Sequence, residues 1–308
     1  TLFAPVGKKT PYKTLDGKYV ADIQFDTMRE AKEHVEAYKS QPKLVYGNTQ
    51  YTYSYIADKY DGDVEWDIDQ LMIATIDIEV KSENGFPSPT EAKEELLSIT
   101  IKNHQSKKIV VWGIGDFTTE RKDVTYIKCE TEVHLLKEFI VFWERHYPDI
   151  ITGWNTEFFD IPYICNRIVS LFGEDELKRL SPWGSVRERE VYQLGRRQQA
   201  YDIAGIASLD FMALYRKFTY TAQESYALNH IATVELGEQK DGNPYETFSE
   251  WYQKDWQSFI EYNIQDVEIV DKLEDKMRLV ELCLTMAYDA KVNYTDVLGS
   301  VKYWDILI

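Results

Sequence analysis

The chain has 308 residues, enough for one large or two ordinary domains, and its 44% hydrophobic and 14% aromatic residues supply a substantial core. Its 35 basic and 52 acidic residues give a formal charge of −17, which argues against tight nonspecific binding to long duplex DNA, because that affinity comes mainly from phosphate neutralisation. Three widely spaced cysteines, Cys129, Cys165 and Cys283, argue against a disulfide framework and lack zinc-ligand spacing, so they read as buried thiols; no apolar run reaches membrane-spanning length, and the first residues do not read as a signal peptide.

In chain order, residues 1 to about 72 form a preceding region. Thr27 to Tyr38 is predicted as a helix, and the Tyr-rich Gln50 to Ile56 as a strand before an acidic turn from Asp58 to Asp63. Leu71 to Val80 is β-branched and apolar around two acids, and reads as a central, largely buried strand. Residues two apart share a face, so Asp77 and Glu79 present their carboxylates together while Ile76, Ile78 and Val80 fill the other side. That face is expected to bind metal; solvated acids on an edge strand are the commoner origin of a lone Asp-x-Glu. Leu96 to Lys102 and Lys108 to Trp112 are predicted as adjoining strands.

Val133 to His146 reads as a helix, followed after Pro148 by a strand that ends in Thr152-Gly153-Trp154-Asn155. A second helix begins near Phe158, with Pro162 in its first turn, where a missing N–H costs nothing. Asp160 therefore falls at a strand-to-helix junction, either facing a cation or serving only as an N-cap, and Asn155 is open to a plain turn role. Between Lys178 and Arg197, six basic residues (Lys178, Arg179, Arg187, Arg189, Arg196 and Arg197) outnumber Glu188 and Glu190, as a phosphate-facing surface or a solvated loop would. Glu188 to Tyr201 reads as two extended arms around Gly195, and Asp210 as a helix cap. Trp251 to Val270 repeats apolar residues at helical spacing, with Tyr262 and Asp266 one turn apart on one face; a surface Asp beside a half-buried Tyr is the alternative. A final helical run from Asp266 to Ala290 leads into Val292 to Ile308. Each acid lies in an apolar or aromatic segment where an ionised carboxylate is expensive to desolvate, which suggests one shared cation site.

Asp77-x-Glu79 on a strand, Asn155-x-x-x-Phe159-Asp160 at a junction and Tyr262-x-x-x-Asp266 on a later helix match, in order, the three motifs of DEDD-type 3′–5′ proofreading exonucleases. The chain resembles the exonuclease portion of family B DNA polymerases, most closely those of T-even-type bacteriophages. The resemblance extends through Gly85-Phe86-Pro87, Lys178-Arg179-Leu180-Ser181-Pro182 and Ser225-Tyr226-Ala227-Leu228 and covers nearly the whole chain. It implies an α/β, ribonuclease H-like exonuclease fold, a mixed sheet flanked by helices, over 73–272. An α+β N-terminal domain would occupy 1–72, and 273–308 would return to pack on it.

The resemblance further implies hydrolysis of a DNA 3′ end with two divalent cations roughly 4 Å apart. Hard oxygen ligands suit Mg²⁺ or Mn²⁺. Asp77 is expected to bridge both ions, Glu79 and Asp266 to complete the water-activating one, Asp160 to hold the leaving-side one, and Tyr262 to orient the attacking water. Phe86 and Asn155 are expected to contact substrate, Phe86 by stacking on the frayed end; as a bare residue, Phe86 reads equally as a loop-anchoring core side chain. The Glu188–Tyr201 hairpin corresponds to one that helps move a primer end between active sites, and Lys240 falls in a loop where relatives can supply a lysine to the scissile phosphate, though its spacing differs. Partners so implied are single-stranded DNA, the remaining polymerase domains and RNA at the N-terminal domain, in the host cell cytoplasm during viral replication.

Palm motifs such as Asp-Thr-Asp and Ser-Leu-Tyr-Pro are absent from these residues, so this chain is not expected to polymerise. It starts at Thr1 and stops at Ile308, where the family's chain continues, and is expected to be a cut piece or a subunit of a split polymerase. A non-catalytic nucleic-acid-binding module and a polymerase-docking subunit are the alternatives from other classes.

Overall fold

A computed structural model describes residues 2–41, 43–47, 51–60, 62–82, 85–193, 195–238 and 242–299. The chain divides into two compact units, Thr1–Trp66 with Thr285–Ile308, and Asp67–Leu284. In the first unit, β1 (Leu2–Pro5), β2 (Tyr12–Lys13) and β3 (Tyr19–Ile23) form an antiparallel sheet in the order β1-β3-β2. The predicted helix follows as α1 (Met28–Ala37), capped by Thr27, whose hydroxyl accepts the Glu30 N–H.

The Tyr-rich segment is not a strand: it forms helix α2 (Tyr51–Lys59), and Gln50 lies outside the described residues. Aromatic content favours strands, yet Tyr53 is buried, Ile56 is half-buried and Tyr55 points to solvent. An inward set spaced by three is helical; a strand would have sent Tyr53 and Tyr55 to the same side. The Tyr53 hydroxyl donates to Asp296, in a short 3₁₀ turn (Tyr294–Leu298), and accepts from Asn293 Nδ2 at 3.1 Å. Trp66 stacks on Tyr288 with ring centroids 5.1 Å apart.

The second unit is built on β4 (Ile73–Val80), β5 (Leu96–Asn103), β6 (Ile109–Gly113), β7 (Val124–Lys128), α3 (Glu132–Arg145), β8 (Ile150–Thr152), α4 (Asp160–Phe172) and α5 (Glu174–Leu177). The hairpin β9 (Val186–Gln193) and β10 (Arg196–Ile203) follows, then β11 (Ala207–Ser208), α6 (Phe211–Phe218), α7 (Leu228–Leu236), α8 (Phe248–Lys254) and α9 (Trp256–Met277), while α10 (Leu279–Ala290) starts in this unit and ends in the first. Six strands form one mixed sheet, β11-β8-β4-β5-β6-β7, in which β4 is central, antiparallel to β5 and parallel to β8. With helices on both faces, this is the ribonuclease H-like exonuclease architecture.

The two faces of β4 divide as the alternation predicts. Ile76, Ile78 and Val80 join a core with Leu135, Leu136 and Phe139 of α3 and Ile161, Ile164 and Ile168 of α4. On the opposite side of the sheet, Phe259, Ile260 and Ile264 of α9 pack with Leu97, Ile109 and Val111. Helix α9 thus lies across the face that carries Asp77 and Glu79.

The run predicted as one helix from Asp266 to Ala290 is two. Arg278 takes a left-handed φ of 54° and closes α9, and the buried Glu274 carboxylate accepts the N–H groups of Val280 (2.9 Å) and Glu281 (3.1 Å) at the start of α10. A side chain from the last turn of one helix therefore satisfies the first amides of the next. All three cysteines are buried and none is in a disulfide; burial pushes the Cys129 thiol up to about 11 and Cys283 up to about 12. No described helix is long and apolar enough to cross a membrane.

Candidate active site

Strand β4 and helix α9 bring three carboxylates together. Asp77 is half-buried, Glu79 is 7% exposed and Asp266 is 9% exposed, and each offers an oxygen within 4.8 Å of the others. Three hard oxygens in that volume, with no sulfur or imidazole among them, suit a divalent cation of the magnesium type. Acids this close and this shielded repel one another, which a bound cation relieves.

Tyr262 lies one turn before Asp266 on α9, edge-on to Trp251 at 4.8 Å. Its phenol is pushed well above the ordinary range, first by burial and then by the charges of Asp266, Glu79 and Asp77. Those causes place the hydroxyl in the field of all three acids. They also exclude phenolate as a base near neutral pH, leaving Tyr262 to donate and accept hydrogen bonds as a neutral group.

Asp160 reaches the site by another route. It is the first residue of α4, where Phe159 holds the N-cap position without a side-chain bond, so capping does not explain Asp160. Its Oδ1 accepts the N–H of Ile78 on β4 at 3.0 Å, from a position only 3% exposed. Burial is the main cause that pushes its carboxyl up to about 8, opposed by hydrogen bonds from Ile78 and its own amide and reinforced by the charges of Asp210 and Asp266. Asp160 is outside the tight threesome but feels the charge of one of its members, Asp266.

The turn that delivers Asp160 is tightly specified. A Cβ on Gly153 would come within 2.5 Å of both the Ile76 carbonyl and Thr156 Oγ1, so only glycine lets this backbone pass so close to β4. Asn155 sits at φ 64°, a left-handed conformation that Asn tolerates better than most residues, and its carbonyl accepts from Phe158 and Phe159 N–H at 3.2 and 3.1 Å. The turn role foreseen for Asn155 is therefore met by its backbone. Asp210 caps α6 through the Ala213 N–H (3.1 Å), and its other oxygen accepts the Glu157 N–H (3.0 Å), which ties α6 to the same turn.

One residue at this site has no counterpart among the sequence motifs. Asn263, fully buried on α9 between Tyr262 and Asp266, donates from Nδ2 to Asp77 Oδ2 at 2.5 Å. Its Oδ1 accepts the hydroxyls of Ser98, at 2.9 Å, and Thr100 on β5. A signal was present: Phe259, Ile260, Asn263, Ile264 and Val267 follow the inward stripe of a helix, and an amide on that stripe needs a polar partner.

Phe86 is 83% exposed and rests against Phe159 at 5.0 Å, so it is an open aromatic face rather than a core anchor. The predicted hairpin is present, with β9 and β10 paired from Gln193↔Arg196 to Val186↔Ile203. Its neighbouring basic excess is largely committed to ion pairs: Lys178 with Asp175, Arg179 with Glu144 and Glu176, Arg189 with Glu157 and Asp202, and Arg197 with Glu190. Lys240 lies outside the described residues.

Residues 19–231 match the family model for the DNA polymerase family B exonuclease domain. The chain is similar over its full length to the DNA-directed DNA polymerases of Escherichia phage RB69, at 32% identity, and of Enterobacteria phage T4, at 30%. It spans 37% of the length of each of those two relatives. Over 72% of its length it is also 27% identical to the DNA polymerase catalytic subunit of varicella-zoster virus (strain Dumas), covering 22% of that protein. The family match ends before α9, while the phage similarity runs on through Tyr262, Asn263 and Asp266. The chain belongs to the DNA polymerase family B exonuclease domain family.

Proposed function

We propose that this chain is a 3′–5′ exonuclease that removes nucleotides from DNA 3′ ends, the proofreading part of a family B replicative polymerase. The observation that carries the reading is the convergence of Asp77 and Glu79 from β4 with Asp266 from α9 within 4.8 Å. Asp77, Glu79, Asp266 and Asp160 would hold two divalent cations, Mg²⁺ or Mn²⁺. When bound, such ions supply an acidified water and offset charge on the entering and leaving oxygens of the phosphodiester.

The remaining work falls to the protein. Tyr262, kept neutral by burial and then by the surrounding acids, orients the attacking water by hydrogen bonding. Asp160, held by the Ile78 amide, would help hold the cation that serves the departing 3′ oxygen. Phe86 over Phe159 offers a π-face to the terminal base, a contact indifferent to base identity. Asn155, at the left-handed turn beside this aromatic pair, would bind the same end. Because such a site handles a few nucleotides, the charge of −17 is compatible with it. The RNA contact expected at the N-terminal unit has no support among these observations and forms no part of the reading. The activity would operate beside the remaining polymerase domains, in the host cell cytoplasm where viral DNA is copied.

The test is a 5′-labelled single-stranded oligonucleotide incubated with the chain in Mg²⁺ and in EDTA. The reading predicts a ladder shortening from the 3′ end in Mg²⁺ only. Folded protein that binds the strand without shortening it in either condition contradicts the reading and favours a binding or docking role.

A further inference from the structure

Asp77 reaches the cluster from a strand, and its orientation there depends on more than the strand. A carboxylate only accepts hydrogen bonds, so the Asn263 group that meets Asp77 Oδ2 at 2.5 Å must be the amide NH₂. The amide carbonyl is thereby turned toward β5, where Ser98 and Thr100 must donate their hydroxyl protons to it. The polarity of the chain is fixed from end to end: two hydroxyls on β5 orient one fully buried amide on α9, and that amide holds one oxygen of Asp77 on β4. Hydrogen bonds to the charged form of a carboxylate stabilise that form. Asn263 also comes from the same helix as Asp266, so a single helical turn delivers one cluster acid and clamps another.

We infer that Asn263 is a positioning residue for the cation site, with Ser98 and Thr100 as its supports. It fixes Asp77 Oδ2, so that the rest of the carboxylate is presented toward Glu79 and Asp266. This rests on the reading of Asp77, Glu79 and Asp266 as cation ligands. Outer partners that orient a ligating group are commonly worth about 10–100-fold in metal affinity or activity.

The test measures Mn²⁺ binding by electron paramagnetic resonance titration alongside exonuclease rate, with folding checked by circular dichroism. The variants are Asn263→Ala, the isosteric pair Ser98→Ala with Thr100→Val, and Asp77→Ala. Asn263→Ala is expected to weaken Mn²⁺ binding about tenfold or more and to slow cleavage, with rate partly recovered by raising Mn²⁺. The Ser98/Thr100 pair, which leaves Asp77 and Asn263 in place, is expected to show the same changes to a smaller degree, and it decides the matter should Asn263→Ala not fold. Folded variants that bind Mn²⁺ and cleave as the unsubstituted chain does, while Asp77→Ala does not, overturn the role of Asn263 alone. Equal Mn²⁺ binding by the unsubstituted chain and Asp77→Ala overturns the cation reading, and this inference with it.

Discussion

Helix α9 takes part in two acidic clusters, and they differ in the partners that their carboxylates meet. Near its middle, Asp266 joins Asp77 and Glu79; two turns on, Asp271 and Asp275 join His104, and each set offers ligand atoms within 4.8 Å of one another. Proximity does not separate them. Charge does: Asp271 is met by Lys102 Nζ at 3.1 Å, His104 Nδ1 at 2.7 Å and Lys107 Nζ at 2.9 Å, and Lys107 also reaches Asp275 at 2.9 Å. Although burial alone would raise it, the Asp271 carboxyl is held below its ordinary value by these partners. At the other cluster Asp77 is held by a neutral amide, and nearby Asp160 is pushed up to about 8. An acid met by two lysines and a histidine reads as part of a structural ion-pair network, and the cation site proposed above is the other cluster.

The largest effect separates the two clusters directly. Asp77→Ala is expected to lower the cleavage rate by roughly a thousandfold or more, the several kcal/mol that metal assistance contributes. Asp271→Ala is expected to leave the rate of the folded protein within a small factor while costing about 3 kcal/mol of stability, because it leaves Lys102 and Lys107 without this counterion. Single-turnover rates and denaturant unfolding of both variants check the pair of statements.

Tyr262→Phe comes next. A neutral water-orienting phenol predicts a loss of about ten- to a hundredfold in kcat, below what removal of a full general base can cost. A loss equal to that of Asp77→Ala would contradict the orienting role. Phe86→Ala should cost about 1 kcal/mol, the low end for a stacked base, and should show in KM for single-stranded ends rather than in kcat. An unchanged KM removes Phe86 from the substrate face.

A different kind of effect, on stability rather than rate, is expected without cations. Asp160 is raised from 3.8 to about 8, so between those values the folded chain retains a proton that the unfolded chain has released. Stability in EDTA is therefore lost as pH rises from about 4 toward 8, with buried Asp210, pushed up to about 6, acting in the same direction. Asp160→Asn removes the Asp160 share, so its Tm advantage over the unsubstituted chain should widen across that window. Constant or shrinking advantage contradicts the assigned burial. Asp271, with its lowered carboxyl, acts oppositely and below about pH 4.

Much of this was readable from the residues. Period-two alternation through Ile76–Val80 separated the acidic face of β4 from its apolar face, and Gly195 marked the hairpin turn, because both signals depend on local backbone geometry. What escaped depended on partners distant in sequence. Tyr53 became helical against its β-forming composition, with its hydroxyl bonded to Asp296 far along the chain. Neither β7, with its exposed Thr125 and half-buried Tyr126, nor the two-residue β11 has a pattern long enough to read alone. Arg278 breaks a helical run that carries no Gly or Pro, and Glu274 makes the break possible by satisfying the next helix's amides. Asn263 was visible as an amide on an apolar stripe, but its partners on β4 and β5 required the fold.

The most direct measurement is digestion of a 5′-labelled single strand in Mg²⁺ by the unsubstituted chain, Asp77→Ala and Asp271→Ala, with each shown to be folded. The account predicts a 3′-shortening ladder from the unsubstituted chain and from Asp271→Ala, and none from Asp77→Ala. A ladder that survives Asp77→Ala, or that disappears with Asp271→Ala, would contradict the assignment of the cation site to Asp77, Glu79 and Asp266.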